Sequence, residues 1–178
     1  MYKYILTLGI VSTFSFLKLF KTPKRFAPHR SLCYSKDNLN HFLFFTREVN
    51  NMANKALHTE NAPAALGPYS QAIQAGNTIY VSGQLGIDPA TGALAGDDAV
   101  TQAKQSLTNI GNILKEAGAS MSDVVTVTVL LDDISAFAEV NKVYAEFFAE
   151  PYPARACYEV AKLPANALIE IQVTAVIG

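Results

Sequence analysis

The sequence is poor in the residues that build metal and disulfide sites. Its two cysteines, Cys33 and Cys157, are far apart with no CxxC pair, and its three histidines, His29, His41 and His58, stand isolated. Zinc centres and disulfide frameworks need several such residues at short spacing, so neither organises this chain. A phosphate loop is also missing, because no Gly-Lys-Ser/Thr follows the glycines at Gly83 and Gly86. Positive charge is scarce over most of the length. Residues 52–178 hold six Lys/Arg against thirteen Asp/Glu, net −7, without a basic cluster. A duplex nucleic-acid binder needs such a cluster to meet phosphates, so nucleic acid is not the expected partner.

What is present suffices for one well-buried domain: 178 residues, 50% of them hydrophobic and 16% charged. The first 51 residues differ in kind, with eight Lys/Arg against Asp37 and Glu48, net +6. Tyr4 to Leu17 is an apolar and hydroxyl run of the length of a signal-peptide core, short of the ~20 apolar residues that span a bilayer. Residues 18–36 are basic and rich in Ser, Thr and Pro, with no acid before Asp37. That composition suits an organellar presequence, or a signal peptide followed by a transit peptide. A membrane anchor is a third reading. A fourth takes Met52, which opens Met-Ala-Asn-Lys-Ala-Leu-His-Thr, as the start of the functional chain. The expected organisation is therefore an extension, 1–51, and a domain, 52–178. The expected compartment is mitochondrial or plastid if the extension is a presequence, and otherwise cytoplasmic.

Within the domain, Gly67-Pro68 marks a turn ahead of Tyr69, and strands at 72–74 and 78–82 flank Ala75-Gly76-Asn77, a hairpin turn in which Gly and Asn meet the need for positive φ. Val100, Ala103, Leu107, Ile110 and Leu114 recur at helical spacing between Asp97/Asp98 and Gly118, predicting a helix over 98–117. Residues 123–131 form the strongest strand, with Val125, Val127, Val129 and Leu131 on its apolar face. A second helix, from Asp133 or Ser135 to Phe148, carries the stripe Phe137, Val140, Asn141, Tyr144 and Phe148. Asn141 interrupts that stripe, either as a structural amide bonded to backbone or at a site edge. Two closing strands, near 153–164 and 167–176, complete the order β-β-α-β-α-β-β. Strands that do not strictly alternate with helices argue for an α+β two-layer domain, a mixed sheet with two helices on one face. The other face, with Thr126, Thr128, Arg155, Cys157, Glu170 and Gln172 available to it, suits a cyclic oligomer with polar clefts between subunits.

The closing strands each place one charge in a β-prone run: Arg155 and Glu170. Burying either without a partner is costly. Period-two geometry puts Arg155, Cys157 and Glu159 on one face of their strand, and Glu170, Gln172 and Thr174 on one face of theirs. Two accounts compete. Arg155 and Glu170 form a structural ion pair; or Arg155 clamps a small carboxylate while Glu170 is free for acid–base work. Residues alone favour the ion pair slightly. Cys157, in an apolar strand without a nearby His, reads as a packing or site-lining thiol. Tyr69 divides evenly between site phenol and core aromatic, as Ser82-Gly83 does between backbone donor loop and plain strand end.

Several ordered motifs taken together resemble one family. Gly67-Pro-Tyr-Ser-Gln-Ala72, Ile79-Tyr-Val-Ser-Gly-Gln84, Phe137 to Tyr144, Pro153-Ala-Arg155, Leu163-Pro164 and Ile169-Glu170-Ile171 are similar to those of the reactive intermediate/imine deaminase A (RidA) family. The resemblance covers residues 52–178. It implies a chorismate-mutase-like α+β fold, a homotrimer with sites between subunits, and hydrolysis of 2-iminobutanoate and 2-iminopropanoate to 2-oxo acids and ammonia. It implies no metal or cofactor, and a functional link to pyridoxal-phosphate-dependent dehydratases, which release such imines from threonine and serine. Carried over, Arg155 clamps the substrate carboxylate, Glu170 positions or activates water, and Tyr69 lines the pocket. Gly83 and Cys157 contribute largely through backbone, Ser82 belongs to the same loop, and Asn141 and Phe137 lie near the site edge. Two alternatives stay open: an endoribonuclease or translation inhibitor, and a non-catalytic trimer that binds small carboxylates or acts as a holdase.

Overall fold

The computed structural model describes residues 4–11, 14–21 and 54–178. The chain divides into two units, residues 1–44 and 45–178. In the first, β1 (Tyr4–Val11) pairs antiparallel with β2 (Phe14–Lys21), Tyr4 opposite Lys21 and Val11 opposite Phe14. The described residues of the run read as an apolar targeting core thus lie in two paired strands. Most of the basic stretch 18–36, and the boundary at residues 51 and 52, lie outside the described residues.

The described residues of the second unit form six strands and two α-helices: β3 (Lys55–Leu57), β4 (Ala72–Ala75), β5 (Thr78–Leu85), α1 (Ala99–Glu116), β6 (Val124–Leu131), α2 (Phe137–Phe147), β7 (Ala154–Glu159) and β8 (Ile169–Val176). They build one mixed sheet of order β3-β4-β5-β8-β6-β7, in which β6 and β7 run parallel and the other neighbours antiparallel. This is the α+β architecture the element order predicts, with β3 as a strand the sequence pattern missed.

Strand alternation supplies one face of the core. Ile79 and Val81 of β5, Val127, Val129 and Leu131 of β6, and Ile169, Ile171, Val173 and Ala175 of β8 are all buried. Helical spacing supplies the other, through Leu107, Ile110, Ile113 and Leu114 of α1 and Val140, Val143 and Tyr144 of α2. The opposite sheet face carries exposed side chains, Tyr80, Thr126 and Gln172 among them. Asp98 caps α1 by accepting from the Thr101 N–H, and this bond, with a second from the Thr101 hydroxyl, holds its carboxyl below the usual aspartate range. Of the two hairpin residues, only Gly76 has positive φ, 62°, so Asn77 is not held there by that requirement.

Three expectations are corrected. The ladder between β6 and β8 shifts register between Val124 and Thr126, which gives Val124 the inward position and turns Val125 outward, 44% exposed. Val100 likewise lies off the buried stripe of α1, which includes Ile113 and three polar residues, Gln102, Ser106 and Asn109. Arg155 and Cys157, grouped with the open-face residues above, pair with Val127 and Val129, and so face the helix side of the sheet.

The revised stripe of α1 predicts contrasting costs. Ile110→Ala, at a fully buried site, should lower the unfolding free energy by about 3 kcal/mol, and Val100→Ala by less than about 0.5 kcal/mol. Denaturant unfolding at fixed protein concentration checks both.

Candidate active site

Glu170 is the second residue of β8, on the face away from the helices, with Leu130 of β6 and Leu85 of β5 as its register neighbours. It lines a cleft of about 350 Å³ together with Leu66, Tyr69, Ser82, Gly83, Leu85 and Pro164. No cation neutralises it among the described residues; their ion pairs are His58–Glu60, Lys104–Glu146 and Glu139–Lys142. Burial pushes its carboxyl above the usual glutamate range, because the charged form loses hydration without gaining a counter-charge. A carboxylate so placed is poised to take up a proton.

The neighbouring backbone is shaped around that carboxylate. The ladder between β5 and β8 shifts register between Val81 and Gln84, leaving Ser82 and Gly83 at an irregularity. A Cβ at Gly83 would overlap the Glu170 carboxyl oxygen, so the glycine is what lets the acid lie against the strand. Ser82 is occupied in holding the next turn, its hydroxyl donating to Ser70 O at 2.7 Å and its N–H to Gln71 O at 3.0 Å. Tyr69 is 50% exposed at the cleft wall, and its hydroxyl oxygen accepts from the Leu66 N–H at 3.2 Å. The even choice at Tyr69 therefore resolves to a wall residue. Ser82 is part of the scaffold beneath it.

Arg155 belongs to a second group of residues. Its Nη1 donates to Asn141 Oδ1 at 2.7 Å, and its guanidinium carbon lies 4.5 Å from the Tyr144 ring centroid and 5.5 Å from that of Phe137. Phe137, Asn141 and Tyr144 share one face of α2, spaced four and three residues apart. Asn141 thus serves the arginine rather than backbone. No carboxylate pairs with Arg155 among the described residues, and the side chain remains exposed. Cys157 is half-buried two residues along the same strand face. Burial raises its thiol pKa, opposed by Arg155 and a backbone bond from Tyr158, which favours a lining thiol over a nucleophile.

The two groups do not meet within one chain. β6 separates β7 from β8, and Arg155 aligns with Val127 whereas Glu170 aligns with Leu130. Two strand spacings across and three residues along amount to roughly 14 Å between Cα atoms. Arg155 also faces the helices and Glu170 the opposite side. The intrachain ion pair, which the residues alone slightly favoured, is absent among the described residues. The structure holds two separate groups of candidate residues: Glu170, Gly83, Ser82 and Tyr69 in one, and Arg155, Asn141, Phe137 and Cys157 in the other.

Comparison with known proteins follows the same residues. The family profile described as Endoribonuclease L-PSP matches residues 59–177. A 2-iminobutanoate/2-iminopropanoate deaminase of Capra hircus is 51% identical over 130 residues, covering 73% of this chain and 95% of the relative. Reactive Intermediate Deaminase A, chloroplastic, of Arabidopsis thaliana is 44% identical over 161 residues, 90% of this chain and 79% of the relative, a match too long for residues 52–178 alone to hold. The crystal structure of RidA from the Antarctic bacterium Psychrobacter sp. PAMC 21119 superposes with a TM-score of 0.67 at 46% identity, covering 69% of this chain and 99% of that one. The chain belongs to the RidA family.

Within this RidA chain, sequence reasoning passed over four contributors. Tyr144 is one: a buried residue whose ring supports the guanidinium and whose hydroxyl has no hydrogen-bond partner among the described residues. Burial raises its phenol pKa, with Arg155 lowering it in part. Its spacing from Phe137 and Asn141 was the available signal. Leu66, Leu85 and Pro164 are the others, apolar walls of the cleft brought in from separate loops and strands; of these only Pro164 had a signal, its place in the Leu163-Pro164 motif. Among the described residues no group of three or more His, Cys, Asp or Glu is placed to hold a metal ion.

Glu170 should leave a signature in stability. A carboxyl whose folded pKa is raised by burial costs stability as pH rises from the unfolded glutamate range through the folded pKa, because the folded state binds the extra proton in that window. In an Arg155→Ala background, so that no arginine of a second copy contributes, Glu170→Gln should be more stable than its Glu170 parent at neutral pH. The two should converge below the ordinary glutamate pKa. Denaturant midpoints against pH check the sign.

Proposed function

We propose that this RidA protein is a hydrolytic deaminase of reactive 2-imino acids, 2-iminobutanoate and 2-iminopropanoate, releasing 2-oxo acids and ammonia from a site that two subunits complete. One observation carries the reading: Arg155 and Glu170 lack a partner of opposite charge among the described residues, yet face away from each other across the sheet. A second copy that sets its Arg155 half against the Glu170 half of the first gives both charges a role. Trimeric assembly, implied by the sequence motifs, closes three such pairs around a ring.

The chemistry follows from the two halves. Arg155 offers a planar fork of donors that matches the substrate carboxylate bidentately, and Asn141, Tyr144 and Phe137 hold that fork in place. The imine carbon is already electrophilic, so orientation and one acid–base group suffice. Glu170 takes a proton from water as the water oxygen bonds to the imine carbon, and passes that proton to the nitrogen, giving a carbinolamine. It then carries the hydroxyl proton to the same nitrogen. The C–N bond breaks with its electron pair leaving on ammonia as the carbonyl of the 2-oxo acid forms. Leu66, Leu85 and Pro164 offer apolar surface to a methyl or ethyl substituent.

Pyridoxal-phosphate-dependent dehydratases acting on threonine and serine are the matching source of these imines. We further read residues 1–51 as a targeting presequence for mitochondrion or plastid. Their basic, acid-poor composition and the long match to a relative named chloroplastic support this. Among the described residues no helix is long and apolar enough to cross a membrane. N-terminal sequencing of the mature protein should find a start near Met52 together with a longer precursor.

The deaminase reading is tested by generating 2-iminobutanoate from threonine with a dehydratase and following 2-oxobutanoate. The intact protein should accelerate its appearance beyond the unaided rate, and Arg155→Ala should lose about 100-fold in kcat/KM, the worth of a charge-assisted bidentate contact. An unaccelerated reaction, or a fully active Arg155→Ala, would sink it. The family description also carries the word endoribonuclease, so RNA cleavage measured alongside, surviving Arg155→Ala, would instead favour that activity.

A further inference from the structure

The inward face of α1 contains more polar chemistry than packing requires. Gln102, Ser106 and Asn109 are 1%, 0% and 0% exposed, lying four and three residues apart on one line of the helix. An amphipathic helix docks with an apolar stripe, and polar groups inside it must find partners or destabilise the fold. Their bonds converge on two backbone segments.

The first segment is the end of β5, directly after its irregularity. Ser106 Oγ donates to Gln84 O at 2.8 Å, and Asn109 Nδ2 donates to Ile87 O at 2.9 Å and Leu85 O at 3.3 Å. Gln84, itself buried, turns its Nε2 back to Ser82 O at 3.1 Å and Gly83 O at 3.4 Å. The second segment is the entry to β8. Gln102 Oε1 accepts from the Leu168 N–H at 2.8 Å, and its Nε2 donates to Gly96 O at 2.8 Å. Gln84 adjoins Gly83, and Leu168 stands two residues before Glu170. A Cβ at Gly83 would overlap the Glu170 carboxyl, so the separation of these two segments decides where that carboxyl lies.

We propose that Gln102 and Ser106 are positioning residues of the deamination site, tying the Gly83 backbone and the Glu170 strand to one helix and so fixing the acid–base carboxyl. Neither touches the cleft. Each acts through the backbone it holds, and displacements of about 1 Å at a reacting group are enough to cost on the order of 100-fold in rate. The inference rests on the acid–base reading of Glu170, and two readouts keep the claims separable.

The experiment uses the full chain with Gln102→Met, which keeps the length of the side chain without its amide, and independently Ser106→Ala. Each variant is checked for parental assembly and cooperative unfolding, then assayed for kcat and KM on 2-iminobutanoate formed in situ. The Glu170 carboxyl is titrated by carbon-13 NMR. The expected result is a kcat lowered about tenfold or more with KM within about twofold, and a Glu170 titration moved down toward the ordinary glutamate range as burial loosens. A folded variant with parental kcat and parental titration overturns the proposal, as does activity that falls only in step with the folded fraction while the titration stays put. If one variant does not fold, the other carries the test. A moved titration with parental kcat would leave the tie to Glu170 intact and would instead overturn the acid–base role assigned to that residue.

Discussion

A guanidinium held at 2.7 Å by an amide oxygen and stacked over aromatic rings, with no carboxylate among the described residues to pair with, is the contact from which the rest follows. Asn141 and Tyr144 orient Arg155 without neutralising it, because an amide oxygen and a ring face attract a cation while leaving most of its donors unused. Had Glu170 been its partner, both charges would have been consumed by the fold. Instead the central strand β6 stands between them, and the sheet turns them to opposite faces. On the proposed reading, one half-site recognises anions and the other handles protons. Joining them asks for a second copy.

The proton-handling half depends on a different device. Glu170 sits against the Gly83 backbone in a partly buried cleft with no cation beside it among the described residues, so burial alone holds its carboxyl toward the protonated state. Acid–base catalysis works best when the group's pKa approaches the working pH, and burial moves a glutamate in that direction. The same burial costs stability, one way in which an active-site group differs from a structural one.

Much of this was legible in the residues. Period-two alternation assigned the side chains of β7 and β8 to faces correctly within each strand, and the spacings located α1 within one residue at each end and α2 within one residue at its end but two to four at its start. Alternation does not say which strand lies between two others, and the insertion of β6 was invisible to it. The outward turn of Val125 was hidden too, because a bulge changes phase without changing composition. The polar stripe of α1 was passed over for a related reason. Gln102, Ser106 and Asn109 resemble solvent-facing residues until the backbone groups they satisfy are known, and those groups lie far off in sequence, at the end of β5 and ahead of β8. Function was read from the ordered motifs, and, Cys157 apart, both half-sites are built from residues inside those motifs.

The central claim is that catalysis needs Arg155 from one subunit and Glu170 from another, and subunit mixing tests it most directly. Arg155→Ala and Glu170→Gln chains, each inactive alone, are unfolded together, refolded as mixed oligomers and assayed on 2-iminobutanoate. A composite site predicts that an equal mixture recovers about a quarter of the parental activity, since about one interface in four then pairs an intact arginine with an intact glutamate. Mixed oligomers that form and stay inactive would contradict it.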